Sequence, residues 1–460
     1  MRKANNMLET ENNPNPKNIV DPSRLLRFVL AMFLGRIANT RQINKKRSAF
    51  EKTRKSTGAD HVVEYFHQLD DPYSHLTAQV LARFAARYDV KIVPYLIRAS
   101  GGEHQPELQK LATWARRDVE LVAPHYGLNF PACAGVVPDS KSQQAAAAVL
   151  AGMSPAEFIE NIEQFSQSNW QGQSIEQDHL SNSEVGQKLD QGSVRLAELQ
   201  HYSGATFYYG GEWYWGVDRL FHLEQRLRDL GACHTPNEPY IVSRPEIDIS
   251  DVDGKNVDAS NLELHFYSSL NSPYTSIIYD KTIGIAEACN INLHHKPVLP
   301  MIMRGVPAPV AKGKYIFFDT KREADFFNVP FGKHVTPIGE PTRQAYSLLP
   351  WAKSLGKDTE LFSTLMRYAF AEGKGLHKIK NIRHAIEKVG LDWKEAQEHL
   401  GGEAWKPWVE KHQDEMVQGM GLWGVPSYRL CGPEGEPDLE VWGQDRLWLV
   451  AAEIRRRSSL

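Results

Sequence analysis

Short apolar runs and longer periodic stretches alternate along the chain in an order that occurs twice. Residues 62–68 (VVEYFHQ) and 262–268 (LELHFYS) are rich in β-branched and aromatic residues and predict strands. Each is followed by a proline, Pro72 or Pro273, that opens an apolar-periodic stretch, and proline at a first helical position predicts a helix start. Residues 91–97 (KIVPYLI) and 291–298 (INLHHKPV) predict a second strand in each half. A helix-rich middle follows, including 144–152 in the first half and 359–399 in the second. Residues 205–216 (ATFYYGGEWYWG) and 426–443 (PSYRLCGPEGEPDLEVWG) read as hairpins. A last helix then carries Leu220, Leu223 and Leu227 in one half and Leu447, Val450 and Ile454 in the other, an i, i+3, i+7 stripe. Strand, helix, strand, helical insertion, hairpin and helix describe an α/β domain with a mixed sheet.

The two halves also match residue by residue. YFHQLDDPY (65–73) pairs with FYSSLNSPY (266–274) at an offset of 274 − 73 = 201, which also pairs Trp114 with Tyr315 and Asp118 with Asp319. Further on, GATFY (204–208) faces GVPSY (424–428), and WGVDRL (215–220) faces WGQDRL (442–447). These ordered coincidences predict a tandem duplication. Pro236, Pro239, Pro245 and the acidic stretch 248–261 (DISDVDGKNVDASN) have linker chemistry. The expected division is an arm over 1–57, a first domain over 58–235, a linker over 236–260 and a second domain over 261–460.

Charge singles out the arm. Ten Lys/Arg against two Asp/Glu between Asp21 and Thr57 make it strongly basic, around the apolar stretch 28–35 (FVLAMFLG). That stretch is far shorter than the ~18–20 residues a membrane span needs, and neither its flanks nor its position suit a signal peptide. The arm is expected either to dock its apolar face on the body of the protein or to rest on a membrane surface as a basic amphipathic helix, a peripheral contact. The whole chain, with 53 Lys/Arg and 56 Asp/Glu, carries a formal charge of −3, which argues against nucleic acid as a partner. Its 42% hydrophobic content is enough for a sizeable core. Cys133, Cys233, Cys289 and Cys431 are far apart, with no C-x-x-C and no zinc-type spacing, so the expected setting is cytoplasmic.

Four places offer chemistry, each with a plainer reading beside it. Ser272 before Pro273 is what an N-cap requires, and capping alone would explain the pair. Pro426 precedes a strand and is compatible with an ordinary edge-strand proline. Asp445 and Arg446 open the last helix, where acidic residues are common, and Asp218 and Arg219 stand at the matching place in the first half. His294 and His295 read as strand surface rather than as metal ligands, and no metal site is expected. Asp319 and Arg322 read as cap and surface residues.

S-P-Y opening a helix, a lone V-P before a hairpin, and W-G-x-D-R-L opening a last helix together resemble the DsbA-like branch of the thioredoxin fold. The resemblance is to its 2-hydroxychromene-2-carboxylate isomerase and kappa-class glutathione transferase members, over about 262–457 and more weakly over the first half. It implies two tandem thioredoxin-like (DsbA-like) domains, each with a helical insertion. It also implies glutathione as cofactor and Ser272 as the catalytic residue, standing where disulfide oxidoreductases have a cysteine. Lys312, in KGKY (312–315), resembles the lysine that helps the kappa class hold glutathione. A cis peptide before Pro426 would present the Val425 backbone to the peptide-like ligand, and Asp445 would receive the γ-glutamyl ammonium. The activity implied is a glutathione-dependent isomerase or transferase acting on a small hydrophobic electrophile through a thiolate. Two alternatives stay open: a non-catalytic thioredoxin-fold scaffold, and a divergent member of the DsbA oxidoreductase family without C-x-x-C. In the first half Asp71 replaces Ser272 and Thr206 replaces Pro426, so that half is expected to keep the fold without glutathione chemistry. The second half departs from the family pattern in having Asn271 directly before S-P-Y.

Overall fold

Residues 62–68 and 263–268 become the inner strands of two separate four-stranded sheets. The computed structural model describes residues 9, 13–101, 106–131, 138–175 and 180–459; Cys133 falls outside them. By internal contacts the chain divides into two units. The first-repeat unit is Lys45–Pro245 with Val310–Tyr315, and the second-repeat unit is the chain up to Asn44 with Glu246–Pro309 and Ile316–Leu460.

The amino-terminal arm forms α1 (Lys17–Val20), α2 (Arg24–Ile37) and α3 (Thr40–Thr57). In the first-repeat unit come β1 (Val62–Gln68), α4 (Pro72–Arg87) and β2 (Lys91–Ile97). The insertion is α5 (Leu108–Val122), α6 (Ser140–Leu150), α7 (Pro155–Trp170) and α8 (Asn182–Glu198). The hairpin β3 (Thr206–Tyr209) and β4 (Glu212–Trp215) leads into α9 (Val217–Asp229). The sheet order is β2-β1-β3-β4, with β1 and β2 parallel and the other pairs antiparallel.

The second repeat follows the same plan. It runs β5 (Glu263–Ser268), α10 (Pro273–Ala288), β6 (Asn292–Pro297), α11 (Val310–Phe326), α12 (Glu340–Ser354), α13 (Asp358–Arg367), α14 (Ile379–Lys388), α15 (Trp393–His399) and α16 (Trp405–Asp414). Hairpin β7 (Ser427–Cys431) and β8 (Leu439–Trp442) and helix α17 (Leu447–Arg457) complete it. Its sheet order, β6-β5-β7-β8, repeats the first with the same strand directions. Register repeats too: Val62 lies opposite Lys91 and Glu263 opposite Asn292, a separation of 29 residues both times. The Tyr73 hydroxyl donates to Asp118 Oδ2 (2.7 Å), and its counterpart Tyr274 donates to Asp319 Oδ2 (2.8 Å). Asp319 is therefore buried in mid-helix beside Arg322 (3.2 Å), not at a cap, which corrects the sequence expectation for both residues.

Each unit buries apolar side chains of its sheet and helices: Tyr65, Phe84, Phe207 and Leu227 in one, Phe266, Phe362, Tyr428 and Ile454 in the other. The basic arm does not behave as one piece. Along α3, Arg47 makes a bidentate pair with Glu212 (2.6 and 2.7 Å), and Glu51 accepts from Tyr209 (2.8 Å) and Arg54 (2.9 Å), tying the helix to the β3–β4 hairpin. Helix α2 instead turns one of its cations, Arg27, inward. Arg27 is buried, donating to Asp21 (2.9 Å) and to the Thr336 carbonyl (2.8 Å), while Leu25 (73% exposed), Phe28 (61%) and Met32 (62%) face outward with Val29 and Phe33. The stretch 28–35 is therefore divided, with Leu30, Ala31, Leu34 and Gly35 half-buried and the other four residues exposed. Among the described residues no helix is long and apolar enough to cross a membrane.

Candidate active site around Ser272 and Val425

The chain leaves β5 at Ser268 and turns through 269–271 into α10. That turn is pinned from below: the Leu270 N–H donates to the Tyr346 hydroxyl (3.3 Å), which donates to the Val298 carbonyl (2.7 Å). Asn271 Oδ1 accepts from the Thr336 hydroxyl (3.1 Å), so the residue that departs from the family pattern holds the loop in place. Ser272 then caps α10: its Oγ accepts from the Thr275 N–H (3.2 Å), and Pro273 fills the first position, where no N–H is required.

The same Oγ reaches across to the loop before β7. It donates to the Val425 carbonyl at 3.0 Å, and the Val425–Pro426 peptide is cis. Ser272, Val425 and Pro426 are thereby brought together from positions 153 residues apart.

The loop that carries Val425 is tightly set. Buried Arg304 donates to the Leu299 carbonyl (3.0 Å) and the Trp423 carbonyl (2.6 Å), and burial brings its pKa down to about 10. The Trp423 and Trp442 rings pack at 4.9 Å, and a Cβ on Gly424 would come within 2.1 Å of the Trp442 ring. Ser427 Oγ donates to the Gly424 carbonyl (2.9 Å), and the Gly443 N–H donates to the Pro426 carbonyl (2.9 Å). That last bond carries the site on to Asp445, in the single turn Gln444–Arg446 that precedes α17. Asp445 folds back on Gly443, where a Cβ would lie 2.4 Å from Oδ1, and Gly443 has φ 122°. Sequence reasoning missed Arg304 and Gly424. A lone cation inside the apolar turn LPMIMRG was the available signal for the first, and nothing local marked the second.

Lys312 belongs to the other unit. It lies in the first turn of α11, within Val310–Tyr315 of the first-repeat unit, and burial lowers its pKa. His295 departs from its expected place on the strand surface. It is buried between Ser268 Oγ (Nε2, 2.9 Å), the Tyr279 hydroxyl (Nε2, 3.2 Å) and Asp358 (Nδ1, 3.2 Å). The connectivity is that of a Ser-His-Asp triad, but Ser268 has no exposed surface and Tyr279 shares its nitrogen, so it holds β5, β6, α10 and α13 together.

The matching place in the first-repeat unit has different chemistry. Asp71 caps α4, accepting from the Tyr73 N–H (3.3 Å), the Ser74 N–H (3.0 Å) and the Ser74 hydroxyl (2.7 Å). Burial raises its pKa to about 6 against these bonds. Gly204 packs here, where a Cβ would lie 3.2 Å from Asp71 Oδ2 and 2.6 Å from Gln68 Cβ. Its neighbour Thr206 turns its hydroxyl to the Ser203 carbonyl (3.0 Å). A carboxylate stands where the other unit has a neutral hydroxyl, and an ionised carboxylate donates no hydrogen bond.

The family model described as a DSBA-like thioredoxin domain matches residues 263–455. Among solved structures, a 2-hydroxychromene-2-carboxylate isomerase is 17% identical, covering 42% of this chain and 95% of its own, with a TM-score of 0.35. A probable DsbA oxidoreductase from Streptomyces coelicolor is 15% identical, covering 43% and 90%, with a TM-score of 0.34. The cytosolic disulfide reductase DsbM from Pseudomonas aeruginosa is 16% identical, covering 42% and 98%, with a TM-score of 0.33. No curated protein matched the sequence. Among the described residues the chain holds two four-stranded mixed sheets of one strand order, and residues 263–455 are a DSBA-like thioredoxin domain.

Proposed function

We propose that the second-repeat unit binds glutathione at the start of α10 and serves a glutathione-dependent isomerase or transferase acting on a small hydrophobic electrophile. The observation that carries this reading is the Ser272 hydroxyl, a neutral donor at the N-terminus of a 16-residue helix and 3.0 Å from the carbonyl before Pro426. Glutathione supplies a thiol whose ionised form is the nucleophile. Ser272 stabilises that ionised form by turning its O–H from the Val425 carbonyl to the sulfur, with the positive end of the α10 dipole behind it. A hydrogen bond to a charged group is worth about 1.5–3 kcal/mol and the dipole about 0.3–1, so the hydroxyl dominates. The Val425 backbone pairs with the ligand's peptide as an added strand. Asp445 receives the γ-glutamyl ammonium. Cys233, Cys289 and Cys431 are free thiols and none begins a helix, which fits chemistry by a bound thiol in a reducing, cytoplasmic setting.

Asp71 makes the first-repeat unit a poor second site. At neutral pH a carboxylate whose pKa lies near 6 is mostly ionised and repels a thiolate. Calorimetric titration of the full chain with glutathione tests the reading. One site per chain is expected; no saturable binding, or two equivalent sites, would overturn it.

The outward stripe of α2 favours a second role, peripheral contact with an anionic membrane. Leu25, Phe28, Val29, Met32 and Phe33 form one exposed face with the exposed cations Arg24 and Arg36 at its two ends, the composition of an interfacial helix. Co-sedimentation with phosphatidylserine vesicles should retain the parent chain and release Phe28→Asp. Equal retention of both would end this reading.

A further inference from the structure

At the other end of β5 from Ser272, three side chains with metal-binding atoms converge. Glu263 and His265 lie two apart on β5 and so share a face, and His294 sits directly opposite His265 on parallel β6. The Glu263 Oε2 atom is 3.3 Å from His265 Nε2 and 3.3 Å from His294 Nε2, and all three ligand atoms lie within 4.8 Å of one another. The histidine rings face each other at 4.7 Å.

These distances are long for hydrogen bonds but suit a shared ion. Four ligands at 2.0–2.1 Å around a tetrahedral Zn²⁺ stand about 3.3–3.4 Å from each other, the edge of that tetrahedron. Both spacings to Glu263 fall there, and His294 Nε2 is buried with no hydrogen-bond partner that would otherwise occupy it. Solvent has access, because Glu263 is half exposed and His294 also lines an open pocket of about 180 Å³. The neighbouring cations are already matched: Lys296 pairs with Glu415, and Arg429, opposite His265, pairs with Asp438. The register-equivalent residues of the first-repeat unit are Val62, Glu64 and Val93, and Glu64 is held by Arg195 (2.7 Å), so the cluster has no counterpart there.

We propose that Glu263, His265 and His294 form a binding site for one divalent transition-metal ion of the Zn²⁺ type, with water completing the coordination, clamping β5 to β6 away from the glutathione site. Two imidazoles and a carboxylate are ligands that Zn²⁺ accepts and that Mg²⁺ and Ca²⁺, which prefer all-oxygen shells, do not.

Equilibrium dialysis of the full chain against Zn²⁺ tests this, with Co²⁺ as a spectroscopic probe. One tight equivalent is expected, with the intense visible absorption of tetrahedral Co²⁺. His294→Ala and Glu263→Gln, both at partly exposed positions, should each weaken binding at least about ten-fold and bleach that absorption. Cys431→Ser should leave both unchanged. Undiminished binding in the two ligand variants, a Co²⁺ spectrum of six-coordinate type, or loss of binding in Cys431→Ser would each overturn the proposal. Glutathione binding is read separately, so failure of the metal site and failure of the glutathione site are distinguishable.

Discussion

The Ser272 hydroxyl, at the start of α10, donates to the Val425 carbonyl in the loop before β7 at 3.0 Å. The donor is thus held at the helix terminus in a fixed direction. On the proposed function, the sulfur of bound glutathione has to draw that proton away from a carbonyl oxygen. An anion does this more readily than a neutral thiol, because hydrogen bonds to charged groups are the stronger ones. On that reading the arrangement would discriminate between the two protonation states of the ligand rather than simply add affinity.

Gly424 is the packing residue on which that geometry rests. A Cβ there would lie 2.1 Å from the Trp442 ring, a rigid group packed in turn against Trp423. Gly424→Ala should cost about 1–3 kcal/mol through overpacking and weaken glutathione binding by displacing Val425. Chemical denaturation measures the first and calorimetry the second. A variant as stable as the parent would mean that Trp442 moves aside freely.

Acid should unfold the protein through its buried histidines. Burial holds His67 and His201 at about 3 and His75, His334 and His412 at about 4. Unfolded, each titrates near 6.5, so below that pH the unfolded chain binds protons that the fold excludes. The stability they contribute is complete above about pH 6.5. It falls with decreasing pH by as much as about 1.4 kcal/mol per pH unit for each histidine. Urea midpoints should be level above pH 7 and decline steeply between pH 6 and 5. A flat profile to pH 4.5 would contradict the burial of these rings.

Asp71 titrates in the opposite sense. Its folded pKa, about 6, lies above the ordinary value of 3.8, so the fold binds its proton more tightly than the unfolded chain. Its ionised form therefore costs stability, and that cost grows as pH rises from about 4 to about 6. Asp71→Asn keeps an N-cap acceptor and removes the charge. It should be more stable than the parent at pH 7.5, with the advantage vanishing near pH 4. Equal stability at pH 7.5 would mean that the carboxylate is well solvated.

Much of this architecture was legible in the sequence because strands and helix starts leave local signatures. Residues 62–68 and 91–97 form β1 and β2 with those bounds, and the matched S-P-Y and D-P-Y segments both begin helices. Side chains fixed by distant packing were not legible. The apolar stretch 28–35 is legible in the sequence, but the sequence does not say which of its side chains face the protein, nor that Arg27 is the buried cation of α2. Asp319 looked like a cap until Tyr274 was seen to reach it. His295 looked like half of an exposed pair until Asp358, 63 residues away, closed its network.

The central claim is that Ser272 holds the glutathione thiol in its ionised form, and the ultraviolet absorbance of the bound thiolate, titrated against pH, tests it most directly. In the parent chain the bound thiol should ionise near pH 7, down from about 8.5. In Ser272→Ala it should ionise about one to two units higher, with most binding of the neutral thiol retained, since the lost bond is worth about 1.5–3 kcal/mol. Identical titrations in the two proteins would contradict the account and leave Ser272 as a helix cap only.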